Sequence, residues 1–199
     1  MFRMAEWEQS LLQTIHHCLR HSPQSLQAIS TGQFHLAVMI EPYLSLLMNG
    51  QKTVESRFCR RKWIPYGMVQ VGDTLILKRS SGPVVGLCKV AEAFYFDLSK
   101  ITLDAVREQF GKAIAAPQAF WNYQREAQFV SLFRVSQVTA LPEIYCRKGD
   151  RRAWVVMQPY AAAKQPAPQS TTDQAREMIR HQFAVGLNPS TLKGNLRNL

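Results

Sequence analysis

Acidic side chains are scarce in this chain. Its 199 residues include 14 of them against 24 lysines and arginines, a formal net charge of +10. Long hydrophobic runs are missing too. No stretch reaches the ~18 to 20 apolar residues that cross a bilayer. The start, residues 1–7, carries an early acid in place of an apolar signal region. A membrane partner is therefore not expected, and a cytoplasmic location is. The four cysteines, Cys18, Cys59, Cys88 and Cys146, form no CxxC motif and no Cys/His pair. Reduced, structural thiols are the expectation. His16, His17 and His21 have no ligand at metal-site spacing except Cys18, so no metal is expected. No P-loop, GxGxxG, HExxH or GxSxG occurs. That argues against nucleoside-triphosphate, dinucleotide, zinc-protease and α/β-hydrolase chemistry. No cofactor is implied.

What is present is a chain with 46% hydrophobic residues, enough for a core. The length suits one domain with tails. The charge divides unevenly: residues 1–32 are neutral, residues 33–160 carry seventeen basic and ten acidic side chains, and residues 161–199 carry five and two. The excess sits on the central segment, and a basic domain suits a polyanion, nucleic acid ahead of membrane. The division expected is an accessory helical segment (1–32), a folded domain (33–160) and a linker with a basic, partly helical tail (161–199).

In the first segment, Leu11, Leu12, Ile15 and Leu19 fall at helical spacing over residues 5–20. Such a stripe either packs on the domain or recruits a protein partner, and packing is the better expectation. Ser22-Pro23 should end the helix. Residues 35–40 read as a strand buried on both faces. Glu41-Pro42 should open a short helix with proline in its first turn, and Asn49-Gly50 should close it. Residues 74–78 and 84–90 form a predicted β-hairpin, the second strand continuing towards Phe96. Helices are expected over 103–110, stopped by Gly111, and over 119–127. Strands follow at 129–135, running on to Leu141-Pro142, and at 153–157. From Ala161 the composition is linker-like, with a weak helical stripe over 173–185. The pattern predicts an α+β fold: a small mixed or antiparallel β-barrel with inserted short helices.

One stretch is unlike the rest. Gly50-Gln51-Lys52-Thr53-Val54-Glu55-Ser56-Arg57 interleaves three charges with strand-forming residues. Lys52 follows the helix-ending glycine and still turns into the strand. Alternation then puts Thr53, Glu55 and Arg57 on one face. A carboxylate beside a guanidinium holds it as a fork for phosphate. Lys52 adds a point charge, or, if desolvated, a base or nucleophile. Taken alone, the residues fit a surface ion network of little energetic weight equally well.

The spacing Gly50-x-Lys52-x-x-Glu55-x-Arg57 resembles the GxKxxExR signature of the ASCH domain family, relatives of the PUA-like barrels. The resemblance covers about residues 34–158 and extends to the Glu41-Pro42-Tyr43 helix, the Val71-Gly72-Asp73 turn and the strand containing Gly86. It implies a small barrel with a cleft beside the signature strand. RNA or a modified nucleotide is the implied ligand of Gly50, Lys52, Thr53, Glu55 and Arg57. Some members are enzymes. One branch hydrolyses N4-acetylcytidine with a lysine at the place of Lys52 and a threonine at that of Glu55. The presence of Glu55 departs from that pattern and tilts the reading towards binding. The alternative is a hydrolase or ribonuclease using Lys52 and Glu55.

Further candidates follow from charge and aromaticity. Arg60, Arg61, Lys62, Lys78, Arg79, Arg147, Lys148, Arg151 and Arg152 are candidates to track a nucleic-acid backbone. Trp63, in a basic loop, is the best candidate to stack on a base, with Tyr66, Trp121 and Tyr123 behind it. Trp121 fits a core position at least as well, and Trp154 is assigned to the core.

Overall fold

The computed structural model describes residues 5–20, 32–149 and 151–157. Six strands are formed: β1 (Phe34–Met39), β2 (Val54–Cys59), β3 (Thr74–Arg79), β4 (Val84–Asp97), β5 (Phe129–Ile144) and β6 (Trp154–Met157). They lie in the order β2-β5-β4-β3-β1-β6. β1 and β3 run parallel, and every other pairing is antiparallel. This mixed sheet curls into a half-barrel whose edge strands are β2 and β6. Helices α2 (Tyr43–Met48), α3 (Leu103–Ile114) and α4 (Gln118–Tyr123) are inserted between strands, and α1 (Glu6–Leu19) precedes them. Among the described residues no helix is long and apolar enough to cross a membrane.

Side-chain alternation sorts the core into three clusters. Inside the curl, Ala37, Met39, Leu75, Leu77, Cys88, Phe133 and Trp154 meet Leu44 and Leu47 of α2. On one outer face, Leu11, Leu12, Ile15 and Leu19 of α1 cover Phe34, Leu36, Ile76, Val155 and Met157. The α1 stripe is thus buried against the sheet, each side chain contributing roughly 1.5–3 kcal/mol. On the other outer face, Val106, Phe110 and Ile114 of α3 and Trp121 of α4 pack on Val54, Phe94, Phe96, Val130 and Leu132. α2 approaches the sheet at Gly86, where a Cβ would fall 2.8 Å from Met48 Sδ and from the Thr139 carbonyl oxygen.

Several boundaries differ from the sequence expectation. α3 does not stop at Gly111 but runs to Ile114, ended by Ala115 in the left-handed conformation (φ 55°). Two of its last carbonyls are satisfied from elsewhere: the Ala113 oxygen accepts from the Thr53 amide and the Ile114 oxygen from Lys52 Nζ. Those bonds compensate for the last orphan carbonyls of the helix. Pro42 precedes α2 as its cap rather than lying in its first turn. The helix expected over 119–127 is α4 followed by a single 3-10 turn, Gln124–Glu126. The Ser22-Pro23 stop and the stripe over 173–185 lie outside the described residues.

Candidate functional site

The turn after α2 delivers the first site residue. Gly50 adopts φ +79°, a conformation that glycine takes without a Cβ penalty. Its amide donates to Leu47 O, and the Lys52 amide returns to Leu46 O at 2.8 Å. The Lys52 side chain is thereby folded inward and is 2% exposed. Its amine donates to Val54 O (2.7 Å) and Ile114 O (3.3 Å), and lies 3.5 Å from Glu55 Oε2. The Tyr43 ring centroid is 5.9 Å away. Burial depresses the amine's pKa, Glu55 opposes that shift and Arg57 adds to it.

Val54 belongs to the outer cluster, so its neighbours Glu55 and Arg57 face into the curl. Glu55 is buried, and the Cys88 thiol inside the barrel is pushed up in pKa by burial first and by the Glu55 charge second. Glu55 Oε1 accepts from Arg57 Nε at 2.9 Å. Arg57 Nη2 donates to Val38 O on β1 at 2.9 Å, and the guanidinium lies 5.1 Å from the ring centroid of Trp154 on β6. One side chain of edge strand β2 therefore grips both strands at the other edge. Nη1 has no hydrogen-bond partner among the described residues. Thr53 lies before β2 and is exposed, and its hydroxyl joins none of these bonds. The outcome is a buried lysine and a half-buried arginine sharing one buried carboxylate, a cluster with more basic than acidic groups.

No protein-family model and no curated protein sequence matches the chain. Solved structures do. Two mutant forms of an ASCH protein from Zymomonas mobilis each superpose with a TM-score of 0.52. One does so at 11% identity over 78% of this chain and 99% of the other. The second does so at 10% identity over 63% and 88%. An ASCH domain from Lactobacillus crispatus aligns at 13% identity over 69% of this chain and 96% of its own, with a TM-score of 0.45. The fold is that of an ASCH domain.

On this ASCH fold the sequence-predicted basic residues fall into two sets at opposite ends of β5. Arg60, Arg61, Lys62 and Trp63 follow β2, whose Cys59 pairs with Phe129 at the start of β5. Arg147, Lys148, Arg151 and Arg152 follow the end of β5 at Ile144, where the β3–β4 hairpin with Lys78 and Arg79 also lies. Arg57 stands between the sets. It is three residues from Arg60, and the residue it grips, Val38, donates its amide to the carbonyl oxygen of Ala153, next to Arg152.

Not every member of these sets is available to a ligand. Lys78 is buried, its amine donating to the carbonyls of Arg79 and Gly82 in the hairpin turn. The Lys78 expectation is corrected: it closes a turn, because the hairpin leaves two carbonyls that need a donor. Arg79 is shared between Glu41 (3.2 Å) and Glu143 (3.6 Å). Arg60 is paired with Glu126 on the surface. Arg61, Arg147, Arg151 and Arg152 are exposed, and Lys148 is half-buried. Lys62 lies over Phe129 and Tyr66 at 5.3 and 5.8 Å. Tyr66 packs edge-on against Tyr95 and Phe129, so it anchors the loop rather than offering a stacking face. Trp121 is buried, as a core residue. Trp63 and Tyr123 are open, at 66% and 85% exposure.

Sequence reading missed one polar chain behind the site. Asp73 Oδ2 is 2.9 Å from His35 Nε2, and His35 Nδ1 accepts from Trp154 Nε1 at 3.3 Å. His35 sat inside a run read only as apolar, and Asp73 in a turn read only as a turn. The signal was a histidine in a strand buried on both faces, where a polar group needs partners.

Proposed function

We propose that the protein is a nucleic-acid-binding module of ASCH type, with RNA as its partner. Part of a nucleotide sits beside Lys52, Glu55 and Arg57. The observation that carries this reading is the convergence of the buried Lys52 amine and the half-buried Arg57 guanidinium on the single carboxylate of Glu55, with no hydrogen-bond partner for Arg57 Nη1 among the described residues. Exposed Arg61 and Trp63 on one side and Arg147, Arg151 and Arg152 on the other extend the positive surface away from it. Backbone phosphates then meet the loops, and Trp63 offers a face to a base. Titrating labelled single-stranded RNA at increasing salt tests the proposal. Affinity falls with a log–log slope of about −0.7 per phosphate neutralised. Binding that is absent or insensitive to salt overturns it.

A hydrolase acting on RNA or on a modified nucleoside such as N4-acetylcytidine is favoured by one observation, the downward shift of the Lys52 pKa. Against it stands the amine's geometry. Its hydrogens already point to two carbonyls and Glu55, which leaves no lone pair aimed at a substrate. Incubation with N4-acetylcytidine and with RNA decides: turnover lost in Lys52→Met would establish the enzyme reading.

A further inference from the structure

We infer that His35 and Asp73 are positioning residues for the Arg57 site, acting through Trp154. This rests on the nucleic-acid reading and adds the device that keeps the guanidinium in place.

Asp73 is a fixed anchor. Its Oδ1 accepts from the Gln33 amide at 2.8 Å, and its Oδ2 from the Gln70 amide at 2.7 Å and from His35 Nε2 at 2.9 Å. His35 is fully buried. The indole nitrogen of Trp154 can only donate, so Nδ1 of His35 must accept and the ring carries its proton on Nε2. The imidazole is held at both ends, and a ring flip would lose both bonds. Trp154 is held in turn by that bond and by Phe133, 5.4 Å between ring centroids. Its ring is the surface on which Arg57 rests. A continuous path then runs Asp73–His35–Trp154–Arg57–Glu55–Lys52.

Packing alone does not require this path. An apolar residue at position 35 would suit a strand with two buried faces. A buried histidine and aspartate carry a desolvation cost that only complete pairing offsets. What the pair adds is direction: the indole is fixed in rotation, and the guanidinium on its face is fixed with it. Arg57 Nη1 is thus presented in one place before any ligand arrives, which lowers the ordering cost of binding.

Three variants of the full chain separate positioning from plain stability. Trp154→Phe keeps a ring beneath Arg57 and removes the N–H. His35→Gln keeps a donor towards Asp73 without the ring acceptor. His35→Asn keeps an acceptor towards the indole. RNA affinity, the Arg57 Nε–H resonance and Tm are measured for each. Trp154→Phe and His35→Gln should weaken RNA binding about three- to tenfold and shift or broaden the Arg57 signal. The double variant should be no weaker than the worse single one, because both cut the same path. His35→Asn, which keeps an acceptor for the indole but loses the Asp73 bond that fixes it, should fall between the wild type and His35→Gln. Variants that lower Tm while leaving RNA affinity and the Arg57 signal at wild-type values overturn the inference. If the wild type binds no RNA, the functional reading falls by itself. The resonance then decides the positioning role: a shifted Arg57 signal sustains it and an unmoved one overturns it.

Discussion

The Arg57 guanidinium rests 5.1 Å from the centre of the Trp154 ring, and these two residues stand on the opposite edge strands of the sheet. The same side chain bonds Val38 O on β1 and Glu55 beside it. Whatever Arg57 does for a ligand, it also ties the curl together.

Arg57→Ala should therefore cost stability, by about 2–4 kcal/mol, since it leaves Glu55 short of a partner and strips the Val38 carbonyl. Arg57→Lys should recover only part of the loss, because an ammonium cannot bond Glu55 and Val38 while lying flat on an indole. Urea unfolding of both variants measures this. A loss below about 0.5 kcal/mol would mean that the edges hold together without the clasp.

Lys52 gives a pH dependence of known sign. Its pKa is depressed in the fold from the ordinary 10.5, chiefly by burial. Between the depressed value and 10.5 the unfolded chain binds more protons than the folded one, so stability rises with pH there. As pH falls through the depressed value, the cost of a charged buried amine returns in full. The wild type should gain on Lys52→Met as pH is raised towards about 10. Denaturation of the pair at several alkaline pH values reads the difference. A gap that stays constant with pH would count against a depressed amine.

Two backbone positions make opposite predictions. Ala115 ends α3 with φ 55°, and Gly50 ends the segment after α2 with φ +79°. Ala115→Gly should stabilise by about 0.5–1 kcal/mol and Gly50→Ala should destabilise by about 1 kcal/mol. Among the described residues, its chain neighbours aside, none comes within 4 Å of a Cβ at Gly50, so the cost expected is conformational. Thermal unfolding checks both signs.

Trp63 offers a test at the surface. It is exposed, while its loop is anchored through Tyr66 and through the Tyr95 hydroxyl, which bonds both the amide and the carbonyl of Val69. Trp63→Ala should leave Tm unchanged and weaken single-stranded RNA binding by about 1–3 kcal/mol. Arg61→Glu should weaken it too, with a shallower salt slope. Unaltered RNA binding in both variants would remove this loop from the interface.

Much of the architecture could be read from local pattern. Gly50 was legible because few other residues fit the end of an apolar helix so well. The α1 stripe was legible because Leu11, Leu12, Ile15 and Leu19 recur at helical spacing. The long-range polar contacts were not. His35 and Asp73 are 38 residues apart and Trp154 lies 119 residues beyond His35. No periodicity links them. Lys78 looked like a surface charge because alternation says nothing about the carbonyls a tight turn leaves over. Gly111 looked like a helix stop, since the carbonyl partners that prolong α3 come from the signature segment itself. That Glu55 and Arg57 share a face followed from spacing, but which way that face points, and the use of Arg57 on Val38 and Trp154, depended on the curl of the whole sheet.

That curl has a bearing on solubility under stress. A sheet with bare rims exposes unpaired amides and carbonyls that recruit strands from neighbouring molecules. Here one arginine, through a single carbonyl and a single indole, keeps the rim of β2 turned towards its counterpart. Chains that lose it should polymerise on mild heating, well before the helices melt.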